Sequence, residues 1–142
     1  MKQYKRIEEV GDIEVRKTIN AAMNKKMPPI RLLPYLGGEE TVSYSYPELV
    51  ALCPMTGILD LYKVKIKYVP NKHLPELKSL KFYFLRYKDV MIGHEHLCEK
   101  IRRDFERAVK PKSLEVVLDV AIRGGIHTII KNVGKGNEKV FK

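Results

Sequence analysis

Apolar and polar residues alternate along four stretches of the chain, and a period of two residues is the pattern of strands with one buried face. The stretches cover residues 41–47, 62–68, 114–122 and 126–133. In the second stretch every polar position is a lysine. The simplest interpretation of that basic face is a solvent-exposed surface. A subunit interface or a nucleic-acid interface is the more specific alternative. Two glycines in Arg123-Gly124-Gly125 indicate a hairpin turn between the last two strands.

The spacing of apolar residues changes to a helical period between the second and third predicted strands. One helix is predicted over residues 75–88, because Pro75 suits its first turn and Glu76 suits the positive end of the helix dipole. A second helix is predicted over residues 94–110 from the apolar residues that share one side. Cys98 lies beside that apolar side, so we interpret it as part of the core.

The predicted order is therefore strand, strand, helix, helix, strand, strand. Grouped strands and grouped helices are typical of an α+β fold, here a four-stranded antiparallel sheet with both helices on one face. This domain would cover residues 41–133, after an irregular N-terminal arm over residues 1–40 and before a basic tail over residues 134–142. Within the arm, residues 13–23 could form a short helix. The sheet has two edges to cover, which predicts a homo-oligomer.

Length, charge and cysteine content narrow the class of protein. A chain of 142 residues with 44% hydrophobic residues is long enough for one domain with a real core. The formal net charge of +10 favours anionic partners, and a plain solvated surface explains it equally well. We find neither an apolar run of membrane-spanning length nor a secretory signal, and the two cysteines do not suggest disulfides. We therefore expect a cytoplasmic protein that does not bind a membrane.

Cys53 and Asp60 form the first candidate for chemistry. Cys53 lies in a loop with proline and glycine between two predicted strands, and Asp60 follows it by seven residues. A thiolate can attack an electrophilic carbon, and a nearby carboxyl group can carry the proton. The pair is a weak signal by itself, so other segments have to support it.

Three further segments could bind an anionic or purine-like ligand. Lys78 and Lys81 share one side of the first predicted helix and could hold phosphates. In His94-Glu95, the carboxylate could accept two N–H groups and the imidazole could orient a proton. Arg123-Gly124-Gly125 offers an arginine for phosphate and a backbone that a ligand can approach closely. Each segment also has an ordinary structural explanation, which is an amphipathic helix for the first, a helix start for the second and a hairpin turn for the third.

Taken together, these segments resemble one family. The Leu-Cys-Pro-x-Thr-Gly loop around Cys53, then Asp60, a Glu-x-Lys-Ser-x-Lys helix over residues 76–81, His94-Glu95 and Arg123-Gly124-Gly125 are similar to QueF, the NADPH-dependent 7-cyano-7-deazaguanine reductases. The resemblance covers residues 40–130 and is to the single-module type of the family. It implies the tunnelling fold, in which subunits form stacked rings with active sites at subunit interfaces.

The resemblance also implies a role for each residue. Cys53 would add to the nitrile and form a covalent thioimidate, and Asp60 would protonate the nitrogen, with His94 as a third catalytic residue. The deazaguanine would be bound by Glu76, Leu77, His94 and Glu95. Two molecules of NADPH would be consumed to give 7-aminomethyl-7-deazaguanine, a precursor of queuosine in tRNA. NADPH would be bound by Lys78, Ser79, Lys81, Arg123, Gly124 and Gly125. No metal is implied, and the chain lacks both a metal-ligand spacing and a Gly-x-Gly-x-x-Gly segment.

Two positions depart from the pattern of the family. Ile58-Leu59 stand where the family has Gln-Pro, and Gly93 stands where it has a phenylalanine that stacks on the base. The loss of a base–aromatic stack costs on the order of 1–3 kcal/mol. We therefore expect either another ring at the base, with Phe82 and Tyr83 as candidates, or a wider pocket for a bulkier substrate.

A wider pocket would also be compatible with a second reaction, on a bulkier substrate. QueF-like archaeosine synthases share the Cys/Asp pair but add ammonia to a nitrile base that is already part of tRNA. A basic surface suits tRNA as a partner, whereas the Glu-x-Lys-Ser-x-Lys helix over residues 76–81 favours the reductase. A basic RNA-binding module with an inert Cys53 is the alternative without enzymatic activity.

Overall fold

A computed structural model describes residues 12–134, with the side chains from Glu14 onward. Its elements in chain order are α1 (Asp12–Met23), β1 (Leu32–Pro34), β2 (Val42–Leu52), β3 (Leu59–Val69), β4 (His73–Pro75), α2 (Leu77–Leu85), a 3-10 turn (Arg86–Asp89), α3 (His94–Val109), β5 (Ser113–Arg123) and β6 (Ile126–Val133). The predicted basic tail beyond Gly134 and the first eleven residues of the predicted arm lie outside the described residues.

The four long strands form one antiparallel sheet in the order β2-β3-β5-β6. Along β3 the side chains alternate between buried and exposed, so that Asp60 and Tyr62 face the helices while Lys63, Lys65 and Lys67 lie on the open face. Helices α2 and α3 both lie on the buried face, and the core between them and the sheet includes Leu97, Phe105, Leu114, Leu118 and Tyr68. The predicted α+β fold is confirmed.

Two predicted boundaries were wrong. Strand β2 does not end at Pro47, because a bulge between Tyr46 and Leu49 accommodates the proline on an edge strand and the pairing continues to Leu52. Helix α2 does not begin at Pro75, because that residue pairs with Leu32 in a second, two-stranded sheet of β1 and β4. The helix begins two residues later, after Glu76 as its N-cap.

The described part of the N-terminal arm is fastened to the domain. Lys100 on α3 is only 3% exposed, and its Nζ donates to the carbonyl of Met23 at 3.1 Å and lies 3.2 Å from a carboxylate oxygen of Asp104. The backbone N–H of Arg31 donates to Oγ of Ser79 at 2.8 Å. A buried ammonium group is stable only with such partners, so Lys100 accounts for the position of the end of α1.

Cys98 lies in the core, as the apolar spacing of α3 predicted. It is fully buried, and its thiol contacts the carbonyls of Val116 at 3.6 Å and Ile130 at 3.7 Å. Burial raises the pKa of the Cys98 thiol to about 12. Within residues 12–134, no helix combines the length and the apolar character needed to cross a membrane.

Candidate active site

Cys53 lies directly after β2, beside the start of α3. The N–H of Leu52 donates to the carbonyl of Val90 at 2.9 Å, and the N–H of Ile92 donates to the carbonyl of Leu52 at 3.0 Å. These bonds hold the segment that leads into α3 against the end of β2. Cys53 and His94 therefore lie at the same end of the sheet although 41 positions separate them in the sequence.

The loop after Cys53 is a tight turn. The N–H of Gly57 donates to the carbonyl of Cys53 at 2.8 Å, and the N–H of Cys53 donates to the carbonyl of Ile58 at 2.9 Å. Gly57 has a φ of 73°, a left-handed conformation that glycine adopts at little cost. The turn therefore explains the glycine and holds the thiol in a fixed place.

The turn also makes Cys53 more acidic than an ordinary thiol. Partial burial raises the pKa of Cys53, but hydrogen bonds from the Thr56 hydroxyl and from the backbone N–H groups of Thr56 and Met55 lower it by more, and the net pKa lies below its usual value. Asp60 acts in the opposite direction through its charge. A depressed pKa increases the fraction of thiolate, which is the nucleophilic form.

Asp60 is the buried carboxylate of the site. It is 5% exposed on the helix side of β3 and forms an ion pair with Arg123 at the end of β5. The pairing of β5 and β6 shifts by one residue between Val120 and Arg123, and this bulge brings Arg123 to the carboxylate in place of Ile122. The burial of the charge is thus compensated by a half-exposed guanidinium group.

Tyr62 is a residue of this site that the sequence analysis missed. It lies two positions after Asp60, on the same face of β3, and its buried hydroxyl lies 3.4 Å from Nδ1 of His94. Burial is the main cause that raises the pKa of Tyr62, followed by the charge of Asp60 and a hydrogen bond to it. The alternation along β3 was the available signal, because residues i and i+2 of a strand share a face.

We name Cys53, Asp60, Tyr62, His94 and Arg123 the thiol cluster. Glu95 is exposed in the first turn of α3, next to His94. Gly124 and Gly125 form the turn after Arg123 with φ of 58° and 82°, which is the backbone of the predicted hairpin turn. The hairpin turn therefore explains why glycines occupy both positions, independently of any ligand.

The remaining predicted residues form a second group at the start of α2. The Glu76 carboxylate accepts hydrogen bonds from the N–H groups of Lys78 and Ser79 at 3.2 and 2.7 Å, and the bond from Ser79 is the main cause that lowers the pKa of Glu76. Ser79 is buried, and its hydroxyl donates to the Glu76 carbonyl and accepts the N–H of Arg31. Leu77, Lys78 and Lys81 are exposed. We name Glu76, Leu77, Lys78, Ser79 and Lys81 the α2 cluster.

The two clusters lie far apart within one chain. Leu77 and Lys81 border a small hollow with residues 43–46 of β2, and the ring of Phe84 stacks on Tyr46 with centroids 4.9 Å apart. Cys53 lies seven residues further along β2, which corresponds to about 20 Å at the rise of a strand. A single chain therefore does not bring the predicted base-binding residues Glu76 and Leu77 next to the thiol.

Neither of the two candidate rings lies at the thiol cluster. Tyr83 is buried in the core, where its hydroxyl bonds to Tyr87 at 2.7 Å and donates to Asp104 at 2.6 Å. Phe82 lies on α2 among residues of the arm and of the 3-10 turn. A Cβ atom placed at Gly93 would meet no atom within 4 Å. The position where the family has a phenylalanine is thus open space in this chain.

Comparisons with known proteins settle the family. The family described as QueF-like protein matches residues 60–139, which is more than half of the chain. The chain belongs to the QueF-like family. The match begins at Asp60, so this member of the QueF-like family carries Cys53 just before the matched segment.

Curated relatives and one solved structure agree with this assignment. The NADPH-dependent 7-cyano-7-deazaguanine reductase of Chloroherpeton thalassium is 38% identical over 96 residues, which cover 68% of this QueF-like chain and 83% of that protein. The protein of the same name from Aquifex aeolicus is 37% identical over 90 residues, 63% of this chain and 70% of that protein. The apo crystal structure of the archaeosine synthase QueF-Like matches with a TM-score of 0.62 over 72% of this chain and 97% of its own, at 18% identity. At that identity the last comparison supports the fold alone.

Proposed function

We propose that this protein reduces the nitrile of 7-cyano-7-deazaguanine to the aminomethyl group with NADPH, by way of a thioimidate on Cys53. The observation that carries the proposal is the arrangement of the thiol cluster: a thiol with a depressed pKa beside a buried carboxylate. Family membership supports it, because the relatives in Chloroherpeton thalassium and Aquifex aeolicus carry this activity in their names.

The first step is the addition of Cys53 to the nitrile. Asp60, which forms an ion pair with Arg123, accepts the thiol proton while the sulfur forms a bond to the nitrile carbon. One π bond of the nitrile opens onto the nitrogen, and Asp60 returns the proton there. The product is a neutral thioimidate, and Asp60 is again a carboxylate, so that no proton has to come from solvent.

Tyr62 would position Asp60 for this transfer. Its raised pKa keeps the hydroxyl protonated at any physiological pH, so it can donate to Asp60 while its oxygen faces His94 at 3.4 Å. His94 and Glu95 at the open start of α3 would hold the base. Because the position of Gly93 is open, the pocket has room on that side.

Only some of the residues predicted to bind NADPH are available to bind it. Lys78 and Lys81 are exposed and can bind phosphates, whereas the Ser79 hydroxyl is already used within the fold and Arg123 is engaged by Asp60. We therefore assign phosphate binding to Lys78 and Lys81 and retain Arg123 as the partner of Asp60. Two molecules of NADPH, bound one after the other, would supply the two hydrides of the overall four-electron reduction. The residues of this chain hold each NADPH, hold the base and move the proton.

The separation of the two clusters supports a site completed by a second copy of the chain. Apolar side chains are exposed around the thiol cluster and on the adjoining open face of the sheet, namely Ile58, Leu59, Leu61, Ile122 and Ile126. Exposed apolar side chains of this number indicate a surface that another molecule covers. We propose that the α2 cluster of one subunit supplies Glu76, Lys78 and Lys81 to the thiol cluster of its neighbour.

The test is the covalent adduct together with the oxidation of NADPH. Incubation with 7-cyano-7-deazaguanine should add the mass of the base to the peptide that contains Cys53, and NADPH should then be consumed at two per base. Cys53→Ala should lose both, whereas Cys98→Ala, which removes the buried thiol, should retain both. Adduct formation by Cys53→Ala would overturn the assignment of the nucleophile.

One observation favours a second candidate, an amidine-forming reaction on a nitrile base within tRNA. Gly93 lacks the ring that the family has at this position, and this leaves more room on that side for a base that is still attached to a nucleotide chain. Under this alternative Cys53 forms the same thioimidate and ammonia displaces the thiol, with no change in oxidation state. Conversion of nitrile-bearing tRNA that depends on ammonia and consumes no NADPH would select it over the reductase.

A further inference from the structure

Two of the three lysines of β3 on the open face of the sheet lie opposite carboxylates, and Lys65 lies opposite Val117. Lys63 lies directly opposite Asp119 across the β3–β5 ladder, and Lys67 lies opposite Glu115. Opposite charges at paired positions of a sheet attract each other. The Asp119 carboxylate contacts His127 at 2.6 Å and Glu115 pairs with Lys131 at 2.8 Å, so these acids reduce the net charge of the face, although Lys63 and Lys67 form no ion pair within residues 12–134.

On the helix side, Arg86, Lys100 and Arg102 each pair with a carboxylate, and a further group of basic residues in the described part of the chain does not. A hollow of about 520 Å³ lies between the end of α1 and helix α3, and it is lined by Lys25, Lys26, Arg103 and Arg107. None of these four forms an ion pair with a carboxylate within residues 12–134. The one acid in the hollow, Asp104, is occupied by Lys100 and by the hydroxyl of Tyr83.

A second hollow of about 960 Å³ adjoins the first, since Pro28 and Pro29 line both. It adds the cations Arg31, Lys78, Arg86 and Lys88, and its single acid is the N-cap Glu76. The ring of Phe82, which is 51% exposed, lies among these cations. We name the two hollows together the helix-side cleft.

We propose that the helix-side cleft binds RNA, with phosphates against Lys25, Lys26, Arg103 and Arg107 and an unpaired base on Phe82. Cations without a paired carboxylate bind a polyanion because binding releases the counterions of the polyanion. An exposed aromatic ring among these cations can stack on any base. An acidic peptide would satisfy the cations but would leave the ring without a partner. The inference goes beyond the reduction of a free base. The proposed contacts belong to neither the thiol cluster nor the α2 cluster, although Glu76 and Lys78 of the α2 cluster line the second hollow.

The experiment measures binding by fluorescence anisotropy, with a labelled single-stranded RNA oligonucleotide and an unmodified tRNA transcript, in the full chain carrying Cys53→Ala. We expect the logarithm of the association constant for both to fall linearly with the logarithm of salt concentration. Arg103→Gln/Arg107→Gln should weaken binding by about tenfold or more and reduce the salt slope by about 1.4–1.8, since each lost phosphate contact removes 0.7–0.9. Lys63→Gln/Lys65→Gln changes the net charge equally and should leave both quantities unchanged.

The contribution of Phe82 is tested in the same assay. Phe82→Ala should weaken oligonucleotide binding by about tenfold with an unchanged salt slope, because stacking releases no counterions. Absence of RNA binding, or equal losses from the two double variants, would overturn the proposal. Since NADPH oxidation with the free base is measured separately, and Arg103 and Arg107 take no part in it, failure of this inference and failure of the proposed function are distinguishable.

Discussion

The thiol cluster and the α2 cluster hold their charged groups in opposite ways. The thiol cluster draws Cys53, Asp60, His94 and Arg123 from four separate segments, and its carboxylate is buried against a guanidinium group and a tyrosine hydroxyl. The α2 cluster comes from six consecutive residues, and both of its lysines are exposed.

We relate this difference in arrangement to the proposed roles of the two clusters, proton transfer in the thiol cluster and phosphate binding in the α2 cluster. A group that exchanges protons with a reacting atom needs a fixed distance and a perturbed environment, which packing from several elements provides. A group that binds phosphates needs only charge and access. We therefore expect substitutions in the thiol cluster to affect the rate of chemistry and substitutions in the α2 cluster to affect binding.

Asp60→Asn should give the largest effect. The amide keeps the size of the side chain but cannot accept the thiol proton, so kcat for NADPH oxidation should fall by about 10²–10⁴-fold. Asp89→Asn, which alters an exposed carboxylate paired with Arg86 at 3.5 Å, is the matched control and should leave kcat unchanged. Wild-type kcat in Asp60→Asn would show that the buried carboxylate carries no proton.

Co-expression of two inactive variants tests whether the clusters meet between subunits. Cys53→Ala lacks the nucleophile, and Lys78→Glu/Lys81→Glu reverses the charges of the α2 cluster. If each site combines clusters from two chains, random mixing should restore about a quarter of wild-type activity. Cys53→Ala mixed with Asp60→Asn is the control and should restore none, because both changes lie in the same cluster.

Lys78→Ala and Lys81→Ala should separate binding from chemistry. Loss of a charged hydrogen-bond donor to phosphate should raise the KM for NADPH by about tenfold or more. The rate of adduct formation at Cys53 should stay unchanged, because it precedes the need for a hydride. Lys88→Ala, an exposed lysine on the 3-10 turn, is the control for a general charge effect. A slower adduct in either α2 variant would contradict the division of roles.

Thr56→Val should give the smallest effect and tests the cause of the depressed pKa of Cys53. The Thr56 hydroxyl stabilises the thiolate, so its removal raises the pKa. The first step uses the proton that Cys53 passes to Asp60, so the rate of adduct formation should fall as the thiol loses this proton to solvent at high pH. The midpoint of that fall should move to higher pH in Thr56→Val, and weaker stabilisation of the developing thiolate should lower the rate at pH 7 by a few-fold. Thr56→Ser keeps the hydroxyl and should keep the wild-type profile. An unchanged midpoint in Thr56→Val would assign the shift to the backbone N–H groups.

Much of the fold was predictable because its signals are local. The alternation over residues 62–68 and the apolar side of α3 depend on periods that every strand and helix of a two-layer fold must satisfy. The boundaries at Pro47 and Pro75 were not predictable, since a bulge and a pairing with β1 decided them. Both depend on contacts with residues elsewhere in the chain.

The sequence by itself determined the α+β fold and predicted the site residues, because Cys53, Asp60, the helix over residues 76–81 and His94-Glu95 are residue types at recognisable spacings. Only the tertiary structure decided that Arg123 pairs with Asp60 and that Tyr62 joins them. It also places the α2 cluster beside residues 43–46 of β2, which lie about 20 Å from the thiol at the rise of a strand. The physical reason is the register of the antiparallel strands. It places residues by their position along the sheet, and the bulge in β5 changes which side chain faces the carboxylate.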